Sequence, residues 1–340
     1  ISQVLSESSI LGKLFFCFSV LMSSLSKKSA YNSPGERERH RRELSSLLDI
    51  AGVEYRFVLF RGVPVCPFPG VKRRVQTYWD SFRPRQSDVW VCAFVKSGTH
   101  WVNEIAHMLL RGSTEAPKAK EEFMLERVDC EVLQNLPSPR LMNTHLHFSQ
   151  LPEQILSARK GKIIFVTRDV RDVAVSLFHH QRTRAADNLT RYDTTWQAHL
   201  DTFCKGLSQN GSWFDYIKGW HEGCLKQQPD NVLHLTYEGM LADHRGAIDS
   251  LASFLLTPEQ RCRLDEAFMK RVQQLTEFEH MRQAHSGKTA IEIYRNGKTG
   301  SWRGQFSELD LFDLRARLFD PLSPEDQSLF LRYSSMTSWA

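Results

Sequence analysis

A three-layer α/β fold, with helices on both faces of a central parallel sheet, is what the 340-residue sequence predicts, and three observations predict it. Short apolar runs without polar alternation recur along the chain, as strands buried on both faces require. Each is followed by a segment with helical spacing, and strand–helix alternation implies parallel pairing through crossovers. The first such unit joins its strand to its helix through a turn of small residues and one lysine, a shape that suits an anion.

Val89–Ala93 is that first strand, and the helix after it repeats apolar residues at Trp101, Ile105, Met108 and Leu109. Between them stand Lys96, Ser97 and Gly98. Unpaired N–H groups and the positive end of the helix dipole meet there, and Lys96 adds a full charge. The common ATP and GTP loop, G-x-x-x-x-G-K-[ST], has its lysine at the end of a glycine-spaced turn; here Lys96 comes first, which argues against a nucleotide kinase. Arg140–Thr144 is a second candidate strand and Lys162–Thr167 a stronger third, rich in β-branched and aromatic residues. Helical character follows over Val170–His180. Val232–Thr236 is the fourth strand, leading to a helix near Ala247–Leu255. Thr257-Pro258-Glu259-Gln260 reads as an N-cap with proline at the first helical position and glutamine closing a capping box. In open parallel sheets, ligands sit at the carboxyl ends of the strands. Those ends carry Lys96, His145, Arg168 and Tyr237.

The length suits one large α/β domain, and no composition break divides it. Residues 1–45 are expected to be a disordered or non-native tail and 46–340 a single domain. Met22 is the expected true start, and the interrupted apolar run Ile10–Met22 is too short for a confident membrane span. A net charge of +5, with both signs intermixed, fits an anionic small ligand and demands neither nucleic acid nor membrane. Seven cysteines, odd in number and dispersed, fit reduced thiols in the cytoplasm, and none stands at metal-ligand spacing.

The blocks around these residues resemble the cytosolic sulfotransferase family. FVKSGTHW (94–101) is similar to its Y-P-K-S-G-T-T-W loop, with Val95 for proline and His100 for threonine. RLMNTHLHFSQLP (140–152) is similar to R-L-I-K-T-H-L-P, and FVTRDVRDVAVS (165–176) follows R-N-x-K-D-V-A-V-S. GSWF (211–214), VLHLTYE (232–238) and RNGKTGSWR (295–303) match further blocks in the same order. The resemblance spans about residues 75–335. It implies a P-loop NTPase-like fold with a phosphosulfate-binding loop, and transfer of a sulfuryl group from 3′-phosphoadenosine 5′-phosphosulfate (PAPS) to a hydroxyl or amine.

By the same resemblance, Lys96, Ser97, Gly98, Thr99, His100 and Trp101 would hold the 5′-phosphosulfate, while Arg168, Ser176, Arg295, Asn296 and Gly297 would hold the 3′-phosphate. Trp101, Tyr237, Thr276 and Phe278 would form the adenine site. His145 is the expected general base, a neutral imidazole near its ordinary pKa of roughly 6.5. Lys96 would offset charge on the bridging oxygen, and Ser176 would hold Lys96 back until the acceptor binds. No metal is expected. Asn143 and Asn296 stand where the family has lysines, so each removes a positive charge; Lys298 or Arg303 are candidate replacements. The family's dimer-forming segment is not recognisable in Arg303–Phe312, which leaves monomer and dimer both open. The expected acceptor is a phenol, a steroid-like or lipid alcohol, or an amine, with Phe57, Phe60, Phe68, Phe123 and Phe178 on its loops. The alternatives are a protein that binds PAPS or its product 3′-phosphoadenosine 5′-phosphate (PAP) with little catalysis, and a Golgi carbohydrate sulfotransferase.

Overall fold

The computed structural model describes residues 34–115, 120–152, 161–183, 191–227, 229–286, 294–334 and 336. Both the apolar run Ile10–Met22 and Cys17 within it lie outside the described residues, as do 184–190 and 287–293 of two expected acceptor loops. The chain divides into two compact units, Ile1–Leu44 and Ser45–Ala340. The described part of the first is a polar helix, α1 (Pro34–Glu43), with Glu38 and Arg42 paired one turn apart at 3.5 Å.

A small sheet comes next, of β1 (Leu44–Leu48), β2 (Glu54–Phe60) and β3 (Val63–Val65) in that order. β2 and β3 form an antiparallel hairpin with Val58 facing Val65. Its two-residue turn, Arg61-Gly62, has φ of 50° and 81°, the left-handed pair that matches strand twist. The stretch expected as an acceptor loop over Glu54–Pro69 is therefore mostly sheet.

The main sheet holds β4 (Val89–Ala93), β5 (Leu141–Thr144), β6 (Lys162–Thr167) and β7 (Val232–Thr236), in the order β5-β4-β6-β7. Its strands are all parallel, with Val89 opposite both Leu141 and Lys162, and Ile163 opposite Val232. Around the sheets run α2 (Val71–Ser81), α3 (Thr99–Arg111), α4 (Cys130–Gln134), α5 (Val170–Arg182), α6 (Trp196–Cys204), α7 (Trp213–Trp220), α8 (Tyr237–Ala242) and α9 (His244–Leu255). They are followed by α10 (Pro258–Arg261), α11 (Glu266–Leu275), α12 (Phe278–His285), α13 (Glu308–Leu318) and α14 (Pro324–Ser334). The capping box expected at Thr257 and Gln260 opens α10, with Pro258 in its first turn.

Side-chain alternation sends each strand into two layers. Val89, Val91, Ala93, Ile164 and Val166 join one core with Val102 and Ile105 of α3 and Ile248 and Leu251 of α9. On the opposite face Phe165 stacks on Tyr216 and Trp220 of α7, ring centroids 6.2 and 5.6 Å away. Burial on both faces is the reason these strands read as unbroken apolar runs.

An ion pair closes the amino-terminal edge of the sheet. Asp88, just before β4, receives Arg140 Nε at 2.7 Å and a terminal guanidinium nitrogen at 2.6 Å, both side chains being fully buried. The Arg85 backbone N–H also donates to Asp88, and the rest of the Arg140 fork reaches the carbonyls of Arg83, Leu133 and Gln134. Among the described residues the cysteines are all free thiols, and Cys92 is core, as expected. No helix among them is long and apolar enough to cross a membrane.

Candidate active site

Because the four strands run the same way, the residues that follow them gather on one edge. β4 ends into Lys96 and Ser97, β5 into His145, β6 into Arg168 and β7 into Tyr237.

The loop after β4 is wound so that its small residues matter. Lys96 has φ 71° and Gly98 φ 103°, and Gly98 stands at the N-cap of α3 with no side-chain cap on the first turn. The first-turn N–H groups of such a helix are anion donors. A Cβ on Gly98 would lie 2.8 Å from the Tyr237 ring, so both the backbone conformation and the space require glycine. Ser97 is fully buried and its hydroxyl has no partner among the described groups.

Arg168 joins this loop to a second segment. One terminal guanidinium nitrogen donates to the Lys96 carbonyl at 3.1 Å and the other to the Lys298 carbonyl at 3.3 Å. Its plane lies over the Tyr237 ring at 4.2 Å. Asp169 is occupied by Arg171, and Asp172 accepts the backbone N–H groups of Gly300 and Trp302 at 2.7 and 3.0 Å. Arg168 is therefore spent on neither carboxylate, and its buried Nε–H has no acceptor within the described chain. Such orphaned buried donors, here with the Ser97 hydroxyl and the Trp101 indole N–H, fit an anionic nucleotide.

Trp101 meets Tyr237 at 5.7 Å and His244 at 5.1 Å, and His244 is hydrogen-bonded to the Thr276 hydroxyl at 3.0 Å. Gly297 lies directly on the Phe278 ring, where a Cβ would clash. Arg295 and Asn296 are exposed, and Asn296 donates to the Ser301 hydroxyl at 3.2 Å. Ser176 is half-buried on α5. The structure thus brings together Lys96–Trp101, Arg168, Tyr237 and Thr276, with Phe278 against Gly297. Lys298 contributes through its carbonyl, and Arg303 stacks on Trp302 at 4.6 Å.

His145 is buried, and its Nδ1 lies 2.8 Å from the Ala93 carbonyl. A carbonyl only accepts, so Nδ1 carries the proton and Nε2 is the basic nitrogen. Glu126 holds the His145 backbone N–H at 2.6 Å. The expectation of an ordinary histidine pKa is corrected here: burial first, then the nearby Lys120 ammonium, push it well below 6.5. His100, taken for a phosphate ligand, donates Nε2–H to Glu121 at 3.2 Å, and burial lowers its pKa to about 4. It is a neutral donor at physiological pH.

Three residues that sequence reasoning did not assign complete the site. Asp172 ties the 300–302 segment to α5 beside Arg168, Glu126 fixes the backbone of His145, and Lys120 meets its ring. Only Asp172 had a signal, an acid inside the block that carries Arg168. Of the expected acceptor phenylalanines, Phe57 packs with Tyr55 and Tyr192 and Phe178 against Trp196 and His199.

Buried neutral histidines make stability acid-sensitive. His100, His199 and His234 each have a pKa lowered to about 4, with burial the largest cause. Unfolded, each would titrate near 6.5, so between these values the unfolded chain binds more protons and stability rises with pH. Burial raises Glu126 to about 7; it keeps a proton that the unfolded chain releases and opposes one histidine. His145 and His147, also lowered by burial, act in the same direction as these three, so the sign stands. Urea midpoints at pH 7, 6 and 5 should report a loss of at least about 1 kcal/mol per pH unit between 6 and 5; a level midpoint would refute this.

A model of the sulfotransferase domain matches residues 86–318. Sulfotransferase 1B1 of Mus musculus is 30% identical over 253 residues, spanning 67% of this chain and 80% of that protein. Sulfotransferase 6B1 of Mus musculus is 28% identical over 291 residues, covering 82% of this chain and 90% of its own length. Among solved structures, mouse sulfotransferase SULT7A1 complexed with PAP superposes with a TM-score of 0.63 at 25% identity, over 82% of this chain and 99% of that one. Retinol dehydratase in a complex with retinol and PAP shares the fold, with a TM-score of 0.63 at 21% identity, over 90% of this chain and 97% of that one.

Proposed function

This chain belongs to the sulfotransferase family and is a PAPS-dependent sulfotransferase of class EC 2.8.2, and from that premise we propose how its own residues carry the reaction. The loop Lys96–Trp101 takes the 5′-phosphosulfate of PAPS. Arg168, with Ser176 and the segment Arg295–Gly297, takes the 3′-phosphate, and Trp101, Tyr237, Thr276 and Phe278 enclose the adenine. His145 Nε2 receives the acceptor proton. The Lys96 ammonium offsets charge on the bridging oxygen as PAP leaves, with Ser176 restraining Lys96 beforehand. Positioning and preorganised charge supply most of the acceleration, and the reading needs no metal.

The observation that carries this reading is the Arg168 guanidinium, which bonds the Lys96 carbonyl on one side and the Lys298 carbonyl on the other and still has a buried N–H to give. A donor with two phosphate positions needs two anion pockets, and this arginine borders both. The acceptor is a small molecule bearing a hydroxyl or amine, a phenol or lipid-like alcohol before a polar sugar. One domain over residues 46–340 contains the whole site. Dispersed free thiols and the likeness to cytosolic sulfotransferases support a cytoplasmic enzyme.

Purified protein given sulfur-labelled PAPS and a panel of phenols, alcohols and amines should label at least one of them, and ATP should serve as no donor. In calorimetry, Arg168→Met should weaken PAP binding by about 30- to 1,000-fold, the loss of roughly 2–4 kcal/mol of charge-assisted hydrogen bonding. An adenosine ligand lacking the 3′-phosphate should be nearly indifferent to the change. Equal losses for both ligands would remove Arg168 from the 3′-phosphate pocket. PAP binding with no transfer across the panel would turn the reading toward a binding protein.

A further inference from the structure

Lys120 has no role in the reaction so far described, yet its placement is specific. It opens a 3-10 turn, Lys120–Phe123, and is 6% exposed. Its Nζ lies 3.3 Å from Nε2 of His145, and Asn143 Nδ2 donates to its carbonyl at 2.8 Å. The chain beyond it is anchored along β5, with the Leu125 N–H donating to the Asn143 carbonyl at 3.0 Å and Glu126 on the His145 backbone. The neighbouring Glu121 holds His100 of the phosphate loop. One turn therefore touches both the base and the anion-binding loop.

The sequence sets a neutral Asn143 two residues before the base. The structure uses that amide to fix the backbone of a lysine from another segment, whose ammonium then reaches the base itself. With Nδ1 donating to Ala93, Nε2 has one lone pair, and Lys120 N–H occupies it. In that arrangement His145 can accept no proton from a substrate.

We propose that Lys120 is a positioning cation of the transfer site: its ammonium rests on His145 Nε2 while no sulfonate is present, and moves to the sulfuryl oxygens when PAPS binds, uncovering the base. This rests on His145 being the base. In the transfer, the acceptor O–H gives its proton to Nε2 while its oxygen forms a bond to sulfur. The bond from sulfur to the bridging oxygen breaks, its electron pair staying on the phosphate of PAP. The sulfated acceptor and PAP leave, and His145 releases its proton to solvent. Moving Lys120 neutralises the sulfuryl oxygens and takes a cation away from the imidazolium being formed. The groups that face His145 are Lys120 and Glu126 from the segment beside β5, Lys96 from the loop after β4, and His100 from α3. Glu121 and Glu126 favour the charged form of Lys120 against the burial that opposes it.

The test is the pH dependence of transfer by the full chain. Lys120→Met should lower kcat by about 10- to 100-fold, and the acidic limb of kcat/KM should move upward because the cation that depresses the base is gone. Lys120→Arg, which keeps the charge, should recover much of kcat. A wild-type measurement covers failure of a variant to fold: the ¹⁵N imidazole resonance of His145, assigned with His145→Gln, should shift on adding PAPS without acceptor. A Lys120→Met enzyme with normal kcat and an unmoved limb would overturn the proposal. So would a His145 resonance indifferent to PAPS, or equal losses in the Met and Arg variants with no movement of the limb. Full activity in His145→Ala would instead defeat the underlying assignment of the base, so the two failures are distinguishable.

Discussion

Substituting His145 by alanine is expected to lower the rate of sulfuryl transfer by about 10²- to 10⁴-fold, the range over which a positioned general base contributes, while PAP affinity stays within about twofold. The split follows from geometry. His145 sits at the end of β5 with Nδ1 given to the Ala93 carbonyl, its N–H held by Glu126 and its carbonyl bonded by Asn210 Nδ2 at 2.8 Å. The backbone bonds survive truncation, so the strand end and the neighbouring loop keep their shape. What is lost is the one nitrogen able to take a proton. The Ala93 carbonyl loses its donor at a cost of about 1–3 kcal/mol in stability, so thermal melting should be followed alongside activity. Retention of more than about a tenth of the transfer rate by a folded His145→Ala protein would show that another group takes the proton.

Asp88→Ala is expected to be the most damaging single change to stability, at about 3–5 kcal/mol, against a total of about 5–15 kcal/mol for a typical domain. The carboxylate carries two guanidinium bonds and a backbone N–H, and its side chain is fully buried. Removing it strands a buried cation. The pair as a whole contributes far less than this loss suggests, because both charges were desolvated to form it. Asp88→Leu combined with Arg140→Met should therefore recover most of the loss, and urea titrations of the two proteins would establish it. An Asp88→Ala protein within about 1 kcal/mol of the parent would contradict the argument. The pair lies at the amino-terminal edge of the sheet and the site at the carboxyl edge, so folded variants should keep their affinity for PAP.

The parts of this molecule that were legible in its sequence are those in which one local property decides the outcome. Val89–Ala93 is buried on both faces and Lys162–Thr167 over its last four residues, while the edge strand Val232–Thr236 is half-buried but rich in β-formers. Such composition marks all three, and parallel pairing then dictates that Lys96, His145, Arg168 and Tyr237 share an edge. Thr257 and Gln260 announced their helix because a capping box is entirely local. The small sheet was hidden by its length and by the turn Arg61-Gly62, where a non-glycine residue takes a positive φ. Phe57 and Phe178 could not be sorted from sequence, because an aromatic side chain reads the same whether it lines a pocket or fills a core; in the structure both pack against other rings. Lys120 was invisible for another reason. In a run such as KAKEEF a lysine reads as a solvated charge, and only the return of that segment to the edge of β5 puts it beside His145.

The order β5-β4-β6-β7 also has a temporal meaning. β4 is the first strand of the main sheet to leave the ribosome, yet it is central, and both of its partners are made later. Val89 must await Leu141 on one side and Lys162 on the other, and β6 must await Val232. Nothing in this sheet can begin as a hairpin, so its closure depends on distant pairings, the slow class of folding event. During synthesis at about 5–20 residues per second, the unpaired edges of β4 stand open for seconds. That interval, more than the stability of the finished fold, is where a nascent chain of this design is exposed to aggregation.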